Sequence, residues 1–254
     1  MNSTAKWLAS ALCVLRIAYA QAELVVDTKF AGSTKNQDHM TMEERTTPEQ
    51  EKFKQTWEQR VLQDIAVSNE GITPTNGLAD LSRAHLLWNG VDYYAWAVHY
   101  QSAEQIRRNR EEVRMKINRP AIPGGGVCTL FLYDKKLNPV TSIKINLPEN
   151  NHATFCNGTN ALGGAGKGVD GLLLSVSYYL TDGKLAQRAQ DIGKDWREQT
   201  LFLRLQKDAN GRVQLIQDDR CLGNPNAYKN IPIARKALAK CKNMNNGWIM
   251  IEGR

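Results

Sequence analysis

Two stretches constrain the fold more than any others. "VCTLFLYD" and "VTSIKINL" flank "KKLNP", and "QTLFLRLQ" and "RVQLIQ" flank "KDANG". Each pair of β-favouring runs is separated by a short polar turn, and the Asn-Gly at the end of the second turn suits a tight reversal. The C-terminal half is thereby committed to antiparallel pairing. Both units contain Thr-Leu-Phe-Leu, at 129–132 and 200–203, with no longer period around it. Between them "LLLSVSYYLTDGK" reads either as a strand entering an Asp-Gly turn or as a short helix ended by Gly183.

Further towards the N-terminus the periodicity changes. Thr47 as cap, Pro48 at the first helical position, Glu49 and Glu51 in the first turn, and Phe53, Trp57, Val61 and Ile65 every fourth residue predict a helix over 48–68. A second helix is expected from Leu78 to Trp88, stopped by Asn89-Gly90. In "YYAWAVHYQ", Tyr94, Trp96, Val98 and Tyr100 alternate with Tyr93, Ala95, Ala97 and His99, which fits a strand with aromatics on one face. "EEVRMKIN" alternates in the same way, and two strands are preferred here over one long helix from 91 to 118, although Glu104–Arg108 and Arg107–Glu111 stand at helical spacing. "IPIARKALAK" predicts a short basic helix from Pro232, with Cys241 on the side of Ile233 and Leu238 and its cations suited to the negative end of the helix dipole.

The first twenty residues have the layout of a secretory signal peptide: Lys6, the apolar run from Trp7 to Leu15, then Ala18-Tyr19-Ala20, with cleavage expected after Ala20. The run is too short to span a bilayer, which takes about 20 apolar residues, and Arg16 interrupts it. Residues 21–47 are polar and are expected to form a mobile leader, and 48–254 a single mature α+β domain. Export decides how the cysteines are read. With Cys13 discarded, Cys128, Cys156, Cys221 and Cys241 form an even set in an oxidising compartment. Pairing Cys128 with Cys156 and Cys221 with Cys241 closes the shorter loops. Zinc is the weaker alternative, because there is no C-x-x-C pair and only His152 lies close to a cysteine.

Loss of Lys6 and Arg16 takes the formal charge from +7 to +5. Outside the cytosol that modest positive charge points to a protein or an anionic cell-envelope component as partner, and not to nucleic acid. Nucleotide binding is not expected either. "GKGVDG" at 166–171 matches G-x-G-x-x-G, with Asp191 twenty residues beyond it. The stretch before it, "NNHATFCNGTNALGGA", is polar and glycine-rich and is not expected to supply the buried strand that a dinucleotide fold requires. No cofactor or metal is implied.

Three sets of residues remain as candidate chemistry. Cys156 with His152 is the best nucleophile and base pair, which would make a cell-envelope hydrolase, but Cys156 is better employed in a disulfide. Tyr94, Trp96 and Tyr100 form either a binding face or core. Asp218 and Asp219, beside Arg220, read as a solvated strand end, and Asp208 and Asn210 as turn formers. Asn157-Gly158-Thr159 satisfies the glycosylation sequon. The expected fold is α+β, with N-terminal helices packed on a largely antiparallel, disulfide-containing sheet. The expected function is non-catalytic binding in a bacterial periplasm, as an inhibitor, an immunity-type factor or an envelope assembly factor. The hydrolase and a structural subunit of a secretion or pilus assembly are the alternatives.

Overall fold

The structure, a computed structural model, describes residues 24–27, 47–68, 82–100, 107, 126–147, 153–181 and 196–244. Nine strands and two helices lie within them. Strands β1 (Val25–Asp27), β2 (Ser82–Trp88), β3 (Val91–Tyr100), β4 (Val127–Asp134) and β5 (Pro139–Lys144) form one antiparallel sheet in chain order. Strands β6 (Ala153–Gly164), β7 (Gly171–Thr181), β8 (Trp196–Lys207) and β9 (Val213–Gln217) form a second. Helix α1 (Pro48–Ser68) precedes β2, and helix α2 (Ile231–Met244) follows β9.

Side-chain alternation sets the layers. In β3 and β4, Ala95, Ala97, Leu130 and Leu132 face the second sheet, where they join Leu172, Leu174, Leu201 and Leu203 in one buried core. The alternate residues Trp96, Val98, Tyr100, Phe131 and Tyr133 face outward and pack under Trp57, Val61 and Ile65 of α1. The second sheet repeats the arrangement: Leu173 and Phe202 face outward beneath Ala234 and Leu238 of α2. The molecule is thus helix, sheet, sheet, helix. Thr-Leu-Phe-Leu does the same work in β4 and β8, with both leucines inward and the phenylalanine beneath a helix.

The turns and caps have local causes. Thr47 and Gln50 cap α1 reciprocally: the Gln50 N–H donates to Thr47 Oγ1 (3.2 Å), and the Thr47 N–H donates to Gln50 Oε1 (2.8 Å). In the β4–β5 turn Asp134 Oδ1 accepts from the N–H groups of Lys136 and Asn138. In the β8–β9 turn Asp208 Oδ1 accepts from those of Asn210 and Arg212. Tyr133 donates to Asp64 Oδ2 at 2.9 Å and so ties α1 to the sheet. Burial first, and then this bond to Asp64, pushes the Tyr133 hydroxyl pKa well above the ordinary tyrosine range.

Several expectations are corrected. The α+β class, with N-terminal helices packed on one sheet, gives way to a mostly β architecture of two antiparallel sheets with one N-terminal helix. Residues 82–88 of the expected second helix are strand β2, whose Ala84, Leu86 and Trp88 alternate into the core. Asn89 and Gly90, expected to stop a helix, instead turn the β2–β3 hairpin: both have positive φ (53° and 74°), as a type I′ turn requires. The leader expected over 21–47 contains β1, which pairs with β2. A strand does precede "GKGVDG", since β6 runs to Gly164. The second strand expected at 111–118 lies outside the described residues, as do the signal segment and Asp191.

Trp96 is fully buried where α1 meets β3. Trp96→Ala is expected to cost about 3–5 kcal/mol, whereas Leu87→Ala, on a partly exposed position of β2, costs less than about 1 kcal/mol. Urea denaturation of both variants measures the difference.

Candidate functional site

Cys128 on β4 and Cys156 on β6 are joined across the two sheets, and Cys221 after β9 is joined to Cys241 in the last turn of α2. Cys156 is 2% exposed, and its N–H donates to the Gly126 carbonyl (2.9 Å), so the bond sits inside the corner where the sheets meet. A sulfur in that state is not a thiolate nucleophile. His152 lies outside the described residues. Among the described residues no three His, Cys, Asp or Glu side chains gather into a metal-binding group.

The "GKGVDG" segment is the connection between antiparallel strands β6 and β7, with a strand and not a helix after its last glycine. Gly166 and Gly168 take positive φ in the turn. Gly171 is required for another reason, because a Cβ there would lie 2.5 Å from the Phe202 ring and 2.7 Å from the Leu203 carbonyl. These glycines answer to sheet packing and turn geometry.

The aromatic row is covered. Trp96 and Tyr100 are buried and Tyr94 is half-buried. The Trp57 ring meets Trp96 edge-on at 4.8 Å and Tyr94 at 5.5 Å, and Phe53 lies 4.9 Å from Tyr94. Arg83 also sits over the Trp96 ring, 4.6 Å from its centroid. Tyr100 and Thr129 join their hydroxyls at 2.9 Å. At the open end of the row His85 Nε2 and Asp92 Oδ1 pair at 2.9 Å.

Sequence reasoning missed a partly buried polar cluster at the seam between β5 and β9. Asn146 and Gln217 exchange two hydrogen bonds of 2.9 Å, Gln217 and Asn224 both donate to Asp219, and the fully buried Gln199 donates to Asn224 Oδ1 at 3.1 Å. Asp218 lies beside them, 5% exposed, accepting from Arg220 Nε (2.8 Å) and Nη2, with Arg204 Nε at 3.8 Å. The solvated strand end expected for Asp218 is therefore corrected. Its carboxylate is buried and paired with Arg220, which reaches in from the surface, and β8 brings Arg204 alongside as a second cation. Burial alone would raise the Asp218 pKa, but the hydrogen bonds and charge of Arg220, with Arg204, outweigh it and hold the carboxyl below its ordinary value. So held, Asp218 fastens the loop after β9 at Arg220 beside Arg204 of β8 and is a poor proton donor.

The remaining candidate is the outer face of α2. Lys229, Arg235, Lys236 and Lys240 are exposed there, and Lys167 is exposed in the neighbouring β6–β7 turn. Arg235 donates through Nε (3.1 Å) and Nη2 (2.7 Å) to the Gly164 carbonyl, which sets its guanidinium on that turn. Residues 220–250 hold six lysines and arginines and no acid, almost the whole net charge of the chain. Counting charge by segment would have found this. The contact face of α2 was only partly foreseen: Leu238 faces the sheet, whereas Ile233 is 49% exposed.

The Asp218 pair makes stability depend on acid. A lowered folded-state pKa contributes stability that is complete above the ordinary value of 3.8 and is lost as pH falls through the lowered one. Asp218→Asn is expected to cost about 1–3 kcal/mol at neutral pH and to flatten the decline below pH 4. Chemical denaturation from pH 2 to 7 tests both. Comparison of the chain with protein families, with curated proteins and with solved structures finds no match, so the residues themselves carry the functional argument.

Proposed function

We propose that this chain is an exported, non-catalytic binding protein of the cell envelope, in a periplasm or beyond it, and that the α2 face meets an anionic partner. One observation carries the first half: all four cysteines outside the expected signal segment are taken up in two disulfides. Such bonds persist in oxidising compartments and are rare in the cytosol. Among the described residues no helix is long and apolar enough to cross a membrane.

Support for binding over catalysis comes from what the buried polar groups do. Asp218 and Asp219 are engaged by arginines and side-chain amides, and the Cys156 sulfur is bonded to Cys128, so the groups best suited to chemistry already hold the fold together. The α2 face differs from them, because its lysines point outward and have no carboxylate partner among the described residues.

Thiol labelling with mass readout tests this reading. The native chain, recovered from an envelope fraction, is expected to show no reactive thiol at Cys128, Cys156, Cys221 or Cys241 until reductant is added. A native chain that labels at Cys156 and hydrolyses envelope polymer would establish the hydrolase instead.

A further inference from the structure

Not all of the cations at α2 are placed where the helix itself gives a reason for them. The helix dipole favours positive side chains near the C-terminal end, which accounts for Lys240. Lys229 precedes the helix, and Arg235 and Lys236 stand in its first half, towards the positive end. The Asn230 side chain already caps that end, accepting from the Ile233 N–H at 3.1 Å. Lys229 and Lys236, like Lys167, make no ion pair among the described residues. The acid nearest in sequence, Asp170, is half-buried and has contacts of its own.

Apolar exposure coincides with this charge. Ile233 stands three residues before Lys236 and seven before Lys240, so the three share one side of the helix, and Pro232 is exposed next to it. A face that mixes lysines with an exposed aliphatic residue suits a bilayer surface, where the apolar group enters the headgroup boundary and the lysine stems snorkel around it. The opposite outer layer is electrically different: α1 carries four acids against three bases, whereas α2 carries four bases and no acid.

We infer that the outer face of α2, with Lys167 and Lys229, docks the protein on an anionic phospholipid surface, α2 towards the membrane and α1 away from it. The phosphate groups of the lipids are the anions, and Ile233 is the apolar contact. The inference rests on the proposed binding role and names the partner of that same face.

Vesicle co-sedimentation of the oxidised chain from residue 21 onward tests it, with phosphatidylcholine alone and with about a third phosphatidylglycerol added. Binding is expected only to the anionic vesicles and is expected to fall as salt rises. Each lysine near such a surface contributes about a fivefold factor, so Lys236→Glu with Lys240→Glu is expected to lower binding by at least roughly 25-fold. Ile233→Ser lowers it several-fold. All three positions are exposed, and circular dichroism confirms that the variants fold.

The control is Lys52→Glu with Lys135→Glu, which changes the net charge equally at exposed sites away from α2 and is expected to lose far less. Equal loss in the two double variants, or no preference for anionic vesicles, overturns the inference. So does binding to soluble polyglutamate that matches vesicle binding and ignores Ile233→Ser, because the partner would then be an acidic protein. Failure here leaves the thiol result unchanged, and a reactive Cys156 leaves vesicle binding unchanged, so the two readings fail separately.

Discussion

The fold depends on strands that are buried on both faces. β3, β4, β7 and β8 turn mostly small or aliphatic side chains, with Tyr93 and Tyr178, towards the facing sheet and set Trp96, Phe131 and Phe202 among others on the outside. A sheet with aromatic residues on its outer face is stable in water only if something covers them, and α1 and α2 supply that cover. The small residues Ala84, Ala95 and Ala97 on the inner face matter equally. They let β6 lie close enough for Thr159 Oγ1 to donate to the Ala97 carbonyl at 3.1 Å. Each strand thus specifies two interfaces, and the single-residue alternation along it keeps them in register.

Two-sided burial leaves the sheet margins as the places where polar groups must be satisfied. At one corner the Cys128–Cys156 bond and the Gly126–Cys156 bridge join the sheets. At another, Asn146, Gln217, Asn224 and Asp219 form a chain of side-chain amide hydrogen bonds between the end of β5 and the segment leading to α2. The amide donors and acceptors in that chain satisfy one another, so the cluster costs little desolvation and fixes one loop geometry. Its chemistry is consumed in holding the fold. Unclaimed charge remains on the outside, above all on α2.

How much of this was legible in the sequence follows from the range of each signal. The β4 run "VCTLFLYD" coincides with its strand, and Thr47, Pro48 and Glu49 mark the start of α1, because capping and alternation act within a few residues. Asn89-Gly90 misled because the same dipeptide ends helices and closes type I′ hairpins, and the choice is made by Ala84, Leu86 and Trp88 finding a core across the sandwich. Two sheets in place of one were not legible for a similar reason: alternation reports that a strand has a buried face and is silent on what covers it. The aromatic row at Tyr94, Trp96 and Tyr100 carried the same ambiguity, and α1 occupies the place a partner would have taken. Asp218 read as exposed although its main partner, Arg220, is two residues away, because its burial depends on β8 and Arg204, which no local pattern reports.

The α2 cations gain their significance from how firmly their support is held. Cys241 ties the last turn of the helix to Cys221, Asn230 caps the first, Leu238 and Ala234 are fully buried against Phe202, and Arg235 rests on the Gly164 carbonyl. Charges fixed on a rigid element lose less freedom on binding than charges on a flexible tail, so more of the electrostatic gain survives as affinity. Concentrating the net charge on one outer layer also gives the molecule a direction in the field of an anionic surface, which turns it before contact and falls off within a Debye length of about 8 Å at physiological salt. A covered sheet, a stapled helix and a one-sided charge distribution are therefore steps in one physical arrangement: aromatic burial demands α2, the disulfide and the cap immobilise it, and its outward face is left to carry the charge.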